Sequence, residues 1–300
     1  MLRALALLLV AALAILAGCG SDDEPGRETS VAAFYPLAWA AEQVAGDAAE
    51  ILNLTPPGVE PHDLELSPRD IERVRDADLV LYLGGGFMPA LEDAVADHPN
   101  AVDLLGEVEL LEGGGDDHAD EDPAETDGHE DEEHALDPHV WLDPSRLAAI
   151  ARRIADALGV PAGADELVST LEDLDADLAA GLADCERREI VTSHAAFGYL
   201  AQAYDLRQIA LTAISPESEP SPRALERLVS EVEETGATTV FFETLVSPRL
   251  AETVAREAGA RTAALDPLEG LSDEQLDAGE TYVTVMRANL QALREALECR

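Results

Sequence analysis

Short apolar runs alternate with amphipathic helical stretches along almost the whole chain, and few folds satisfy such an alternation. A strand followed by a helix can return parallel to its neighbour, whereas a tight turn makes only an antiparallel hairpin. The pattern therefore predicts an α/β architecture with mainly parallel sheets. In the first half, strand-like runs lie at 30–34, 49–54, 79–83 and 101–105, with helical stretches at 37–44, 68–75 and 89–96. Leu147, Ile150, Ile154 and Leu158 then recur at helical spacing and give 145–158 one apolar face. A long acidic helix at 164–183, with Leu167, Leu171, Leu174 and Leu178 along one side, interrupts the alternation. After it come strands at 189–192, 207–211, 238–242 and 261–265, and helices at 195–203, 222–235, 248–258 and 280–297. The simplest organisation is two lobes, each with a central sheet flanked by helices, at 31–160 and 187–300, joined by one long connecting helix within 161–186. A single uninterrupted α/β domain is the alternative. Because 47% of the residues are apolar but only 4% aromatic, the core has to be built from Leu, Val, Ile and Ala.

Two stretches stand outside the alternation. Residues 1–19 read as an export signal: Arg3 is a positive start, and 4–17 are apolar but too short to span a bilayer. The ending Leu16-Ala17-Gly18-Cys19 looks like a lipobox, in which cleavage leaves Cys19 as a lipidated N-terminus. Residues 20–30 then form a polar tether. The second stretch, 112–134, carries twelve carboxylates, His118, His129 and His134, and no basic residue. It cannot bury enough apolar surface to fold and reads as a disordered surface loop.

The net charge is −43 and the chain has no lysine, so nothing forms a basic stripe able to neutralise phosphates, which excludes a nucleic-acid partner. ATP binding is excluded as well. Gly84-Gly85-Gly86 follows a strand but lacks the lysine-bearing continuation of a phosphate loop, and reads as a turn. Cys185 and Cys299 are not spaced as a metal pair; in an exported protein they are expected to form a disulfide, with two free thiols as the alternative.

Four loops carry more than composition explains: Pro57-Gly58-Val59-Glu60-Pro61-His62-Asp63, Asp137-Pro138-His139-Val140-Trp141-Leu142-Asp143-Pro144, Val191-Thr192-Ser193-His194-Ala195-Ala196-Phe197-Gly198-Tyr199, and Leu265-Asp266-Pro267-Leu268-Glu269-Gly270. His62, His194 and Asp266 follow predicted strands, and ligands of open α/β sheets bind beyond the carboxyl ends of strands. Proline beside His62, His139 and Asp266 stiffens the backbone there. Three neutral imidazoles and one carboxylate suit a tetrahedral Zn²⁺.

Together the four loops resemble those of the metal-binding solute-binding lipoproteins of zinc and manganese ABC importers, also called metal-binding lipoprotein adhesins. The likeness runs from about Ser30 to the end of the chain, in order. The acidic, histidine-bearing segment just before the second loop looks like that of the zinc-type members. The resemblance implies two α/β lobes linked by one long helix, and a metal between them held by His62, His139, His194 and Asp266. It also implies partner subunits, a permease and an ATPase, and a lipid anchor on the outer side of the cytoplasmic membrane. The protein would be a monomer.

Manganese-type members tend to carry a carboxylate where this chain has His194, and imidazole favours zinc over manganese. Zn²⁺ is therefore the expected cargo, with Mn²⁺ or Fe²⁺ as alternatives. Glu243 and Glu60 are placed either as alternative ligands or as acceptors that orient an imidazole, and a water could replace Asp266. His118, His129 and His134 are expected to collect metal for the main site. Hydrolysis at a three-histidine site is the competing class, but no HExxH helix and no nucleophile–base pair stands out, so no enzyme is expected. A pure adhesin is the third.

Overall fold

The structure is a computed structural model and describes residues 28–111, 136–214 and 221–300. The export signal, Cys19, most of the tether and the segment with His118, His129 and His134 lie outside the described residues.

Two four-stranded parallel sheets form the frame. The first is ordered β2-β1-β3-β4, from β1 (Glu28–Ala32), β2 (Ala49–Asn53), β3 (Leu79–Tyr82) and β4 (Ala101–Asp103). The second repeats the order as β6-β5-β7-β8, from β5 (Glu189–Thr192), β6 (Arg207–Ala210), β7 (Thr239–Phe242) and β8 (Arg261–Ala264). All pairings within them are parallel, as the strand–helix alternation requires. β1 opens at Glu28, inside the span expected to be tether, because it pairs from Glu28 opposite Ala49 and the Thr29 N–H donates to Asp78.

Helices begin where the sequence supplies caps. Pro36 stands in the first turn of α1 (Tyr35–Ala45), and Ser67 closes a capping box on α2 (Pro68–Asp76) with Asp70. After α3 (Pro89–Val95), the Asp143-Pro144 pair starts α4 (Pro144–Ala157): Asp143 accepts from the N–H groups of Ser145 and Arg146. α5 (Asp165–Leu182) is the connecting helix. It is no bare strut, since Leu167, Leu171, Leu174, Leu178 and Leu182 are buried and it packs on α4 and on the C-terminal helix. α6 (Gly198–Ala203), α7 (Pro222–Thr235), α8 (Arg249–Ala258) and α9 (Asp273–Asp277) follow, then α10 (Tyr282–Leu297), capped by Thr281.

One continuous apolar core runs through both lobes, and a smaller one lies under α7 and α8. Cys185 and Cys299 are bonded, stapling the C-terminus to the chain just beyond α5. Among the described residues no helix is long and apolar enough to cross a membrane.

Candidate metal centre

The loops that leave the carboxyl ends of the strands converge between the lobes. His62 follows β2, His194 follows β5, Glu243 follows β7, and Glu269 follows β8. His139 comes from the approach to α4, in the first lobe. Four donor groups meet there: His62, His139, His194 and Glu269, with one ligand atom from each, all within 4.8 Å of one another. The Glu269 Oε1 lies 3.3 Å from His62 Nε2, 3.1 Å from His139 Nε2 and 3.2 Å from His194 Nε2, and the last two nitrogens are 3.4 Å apart.

Each buried imidazole is turned by a carboxylate behind it. The His139 Nδ1–H donates to Asp137 Oδ1 at 2.8 Å, and the His194 Nδ1–H to Glu243 Oε1 at 2.7 Å. This assignment of ring protons leaves both Nε2 lone pairs facing the centre, where a cation would sit. The backbone of His194 is fixed from three sides. Thr192 Oγ1 and Gln208 Nε2 donate to its carbonyl, and the Ala195 N–H donates to Ala213 O. Gly198 explains itself here: a Cβ would lie 2.7 Å from Asp137 Oδ2, so only glycine lets α6 start this close. Apolar rings line the other side, with Phe87 edge-on to His62 at 4.6 Å between centroids and Trp141 at 5.1 Å from His139.

Electrostatics follow from burial and from these partners. At His139 and His194 burial disfavours the charged ring. The Asp137 and Glu269 carboxylates around the first, and Glu269 and Glu243 around the second, outweigh it and raise both above the ordinary histidine value. At His62 burial wins and lowers the ring. Glu269 would be raised by its burial, but the three imidazoles hold it well below the usual carboxylate range. Glu60 is pushed up to about 9 by burial and by the Glu269 charge, which favours its protonated form. Glu269 Oε2 is buried and receives no hydrogen bond.

The fourth donor is not the one expected. Asp266 is buried but turned away, and its oxygens are occupied: Leu268 N–H donates to Oδ1 at 2.8 Å, while Thr244 Oγ1 and Gln275 Nε2 donate to Oδ2 at 3.0 and 2.9 Å. Glu269, three residues on in the same loop, takes its place in the cluster. Its signal in the sequence was membership of that loop, and nothing local ranked it above Asp266. Glu243 sits behind His194 as an imidazole acceptor. Glu60 accepts from the His62 N–H at 3.2 Å and faces Glu269. Asp137, quoted in the second loop without a role, holds the His139 ring; its place two residues before a histidine, as with Glu60, was the readable hint.

The profile of the family described as "ZnuA: Zinc-uptake complex component A periplasmic" matches residues 31–296. The chain belongs to this family. Among ZnuA-family relatives, the zinc-binding protein AdcA of Streptococcus pyogenes is 35% identical over 287 residues, covering 90% of this chain and 56% of that protein. This chain thus spans little more than half the length of such streptococcal relatives. The high-affinity zinc uptake system protein ZnuA of Bacillus subtilis is 34% identical over 310 residues, covering 97% and 96% of the two chains. The Zn(II)-bound ZnuA-like domain of Streptococcus pneumoniae AdcA superposes with a TM-score of 0.75 at 32% identity, covering 91% of this chain and all of that domain. The two-lobe fold is that of the ZnuA-like solute-binding proteins.

Proposed function

We propose that this chain captures Zn²⁺ outside the cytoplasm and delivers it to an ABC-type importer, with His62, His139, His194 and Glu269 as the ligands. The observation that carries this reading is the spacing of the donors. Zn²⁺ bonds of roughly 2.0–2.1 Å in a tetrahedron put neighbouring ligand atoms about 3.3–3.4 Å apart. Four of the donor separations here are 3.1–3.4 Å. Three nitrogens and one oxygen favour Zn²⁺ over Mn²⁺, which prefers oxygen ligands. Asp137 and Glu243 set the ring orientations that such a centre needs. The names of the relatives, zinc-binding and zinc-uptake proteins, agree with the same cargo.

On this reading Cys19 carries a lipid that holds the protein at the outer face of the cytoplasmic membrane, and a permease with its ATPase receives the ion. The segment with His118, His129 and His134 collects zinc before it reaches His139. Elemental analysis of the full chain purified without added metal, followed by Zn²⁺/Mn²⁺ competition, tests the assignment. One equivalent of tightly held zinc is the expected result; a preference for manganese would overturn it.

A further inference from the structure

The loop after β8 contains a backbone turn that its own sequence disfavours. Leu268 stands at φ 57°, in the left-handed region, although it is neither glycine nor asparagine and is fully buried. Neighbours hold it there. The Asp266 Oδ1 accepts from the Leu268 N–H at 2.8 Å, and the same carboxylate is anchored by Thr244 and Gln275. Asn289 grips the Asp266 backbone from both sides: its Oδ1 accepts from the Asp266 N–H at 2.9 Å, and its Nδ2 donates to the Asp266 carbonyl at 2.7 Å. From the other lobe the Trp141 Nε1–H donates to Pro267 O at 2.7 Å. Glu269 is the next residue after Leu268, so the left-handed step decides where its carboxylate points.

We propose that Asp266 is a positioning residue for Glu269: its carboxylate locks Leu268 in the left-handed conformation that aims Glu269 at His62, His139 and His194. This rests on reading the site as a zinc centre. Asparagine keeps one acceptor oxygen for the Leu268 N–H, although its amide nitrogen then faces the Thr244 and Gln275 donors, so it preserves the turn better than alanine does. A metal-binding carboxylate cannot be replaced by asparagine, because a neutral amide is a poor ligand.

The experiment uses the full chain as wild type, D266N, D266A and E269Q. Zn²⁺ affinity is read by competition with a chromophoric chelator, and site geometry by the visible absorption of bound Co²⁺. The expected results are D266N closer to wild type than to E269Q, and D266A weaker by about 10- to 100-fold with an altered Co²⁺ spectrum. Loss of stability alone would not move that spectrum in a protein that still binds cobalt. D266N as weak as E269Q, or D266A equal to wild type, would overturn the proposal. If D266A does not fold, the ranking of D266N against E269Q decides. Wild type that retains no zinc defeats the zinc reading itself, an outcome separate from all of these.

Discussion

Glu60-Pro61-His62 and Asp137-Pro138-His139 are one turn built with carboxylates of different reach. In both, the carboxylate accepts from the backbone N–H of the histidine two residues on, at 3.2 and 2.9 Å. The shorter Asp137 arm also brings its Oδ1 onto the imidazole Nδ1, so His139 is gripped at ring and backbone and is fully buried. The longer Glu60 arm makes no bond to the ring and faces Glu269, where burial and that neighbouring charge favour its protonated form. His62 is the more open of the two, with 8% of its side chain exposed against none of that of His139, and its ring is edge-on to Phe87. A single methylene thus separates a carboxylate that orients a ligand from one that confronts another acid. It makes His139 the fixed corner of the site and His62 the adaptable one.

Removing the two corners should break the comparison most visibly. His139→Ala is expected to cost more zinc affinity than His62→Ala, and to exceed the about 100-fold that loss of an orienting partner typically costs. Equal losses in a chelator competition would mean the corners do not differ. The carboxylates come next. Asp137→Asn should weaken zinc about 10- to 100-fold by releasing the His139 ring, whereas Glu60→Gln, which imitates the protonated acid, should leave affinity nearly unchanged. A larger loss for Glu60→Gln would place Glu60 among the ligands.

The smallest effect is in the pH profile. Zinc needs neutral imidazoles, and His139 and His194 hold protons above the ordinary histidine value while His62 releases its proton below it. Proton competition should therefore begin above about pH 6.5, at His194 and His139, and reach His62 last. In Asp137→Asn the upper edge of the profile should move down. The metal-free protein should show the opposite trend. His194, raised by folding, contributes stability that is complete below its unfolded value and lost as pH rises through its folded one. Glu269, depressed by folding, contributes stability present above its unfolded value and lost as pH falls through its folded one. The apo melting temperature should peak between about pH 4.3 and 6.5. Zinc affinity that is flat from pH 6 to 8 would contradict these assignments.

Much of this was legible in the residues. Apolar runs marked the strands because parallel strands are buried on both faces, and the helices expected from 68, 145 and 222 start within a residue of those positions, where the structure shows Ser67, Asp143 and Ser221 as caps. The helix expected at 195–203 opens only at Gly198, because the chain before it is bent around His194. α9 was passed over although Ser272 and Gln275 spell out its capping box; five residues are too few for a periodic signal. The three histidines that meet in the cluster each lie beyond a strand or before a helix, and proline stiffens the loops of His62 and His139. The carboxylate could not be ranked. Proline beside Asp266 pointed to rigidity, but the Asp266 carboxylate is taken up within the turn while Glu269, three residues on, faces the centre. That exchange depends on a left-handed Leu268 held by Thr244, Gln275 and Asn289, partners distant in sequence that no local pattern announces.

The lobes are also sewn together away from the four donors. Trp141 donates its indole N–H to Pro267 O across the seam and accepts the Tyr282 hydroxyl on its own carbonyl at 2.6 Å, while Tyr199 donates to Asp137 O at 2.8 Å. None of these stitches passes through a donor atom, so departure of the ion leaves them in place. These three contacts hold the two walls of the cavity together independently of any bond to an ion. Trp141 alone carries two of them, through its indole to Pro267 and through its carbonyl to Tyr282, so one residue ties the first lobe to both the loop after β8 and the C-terminal helix.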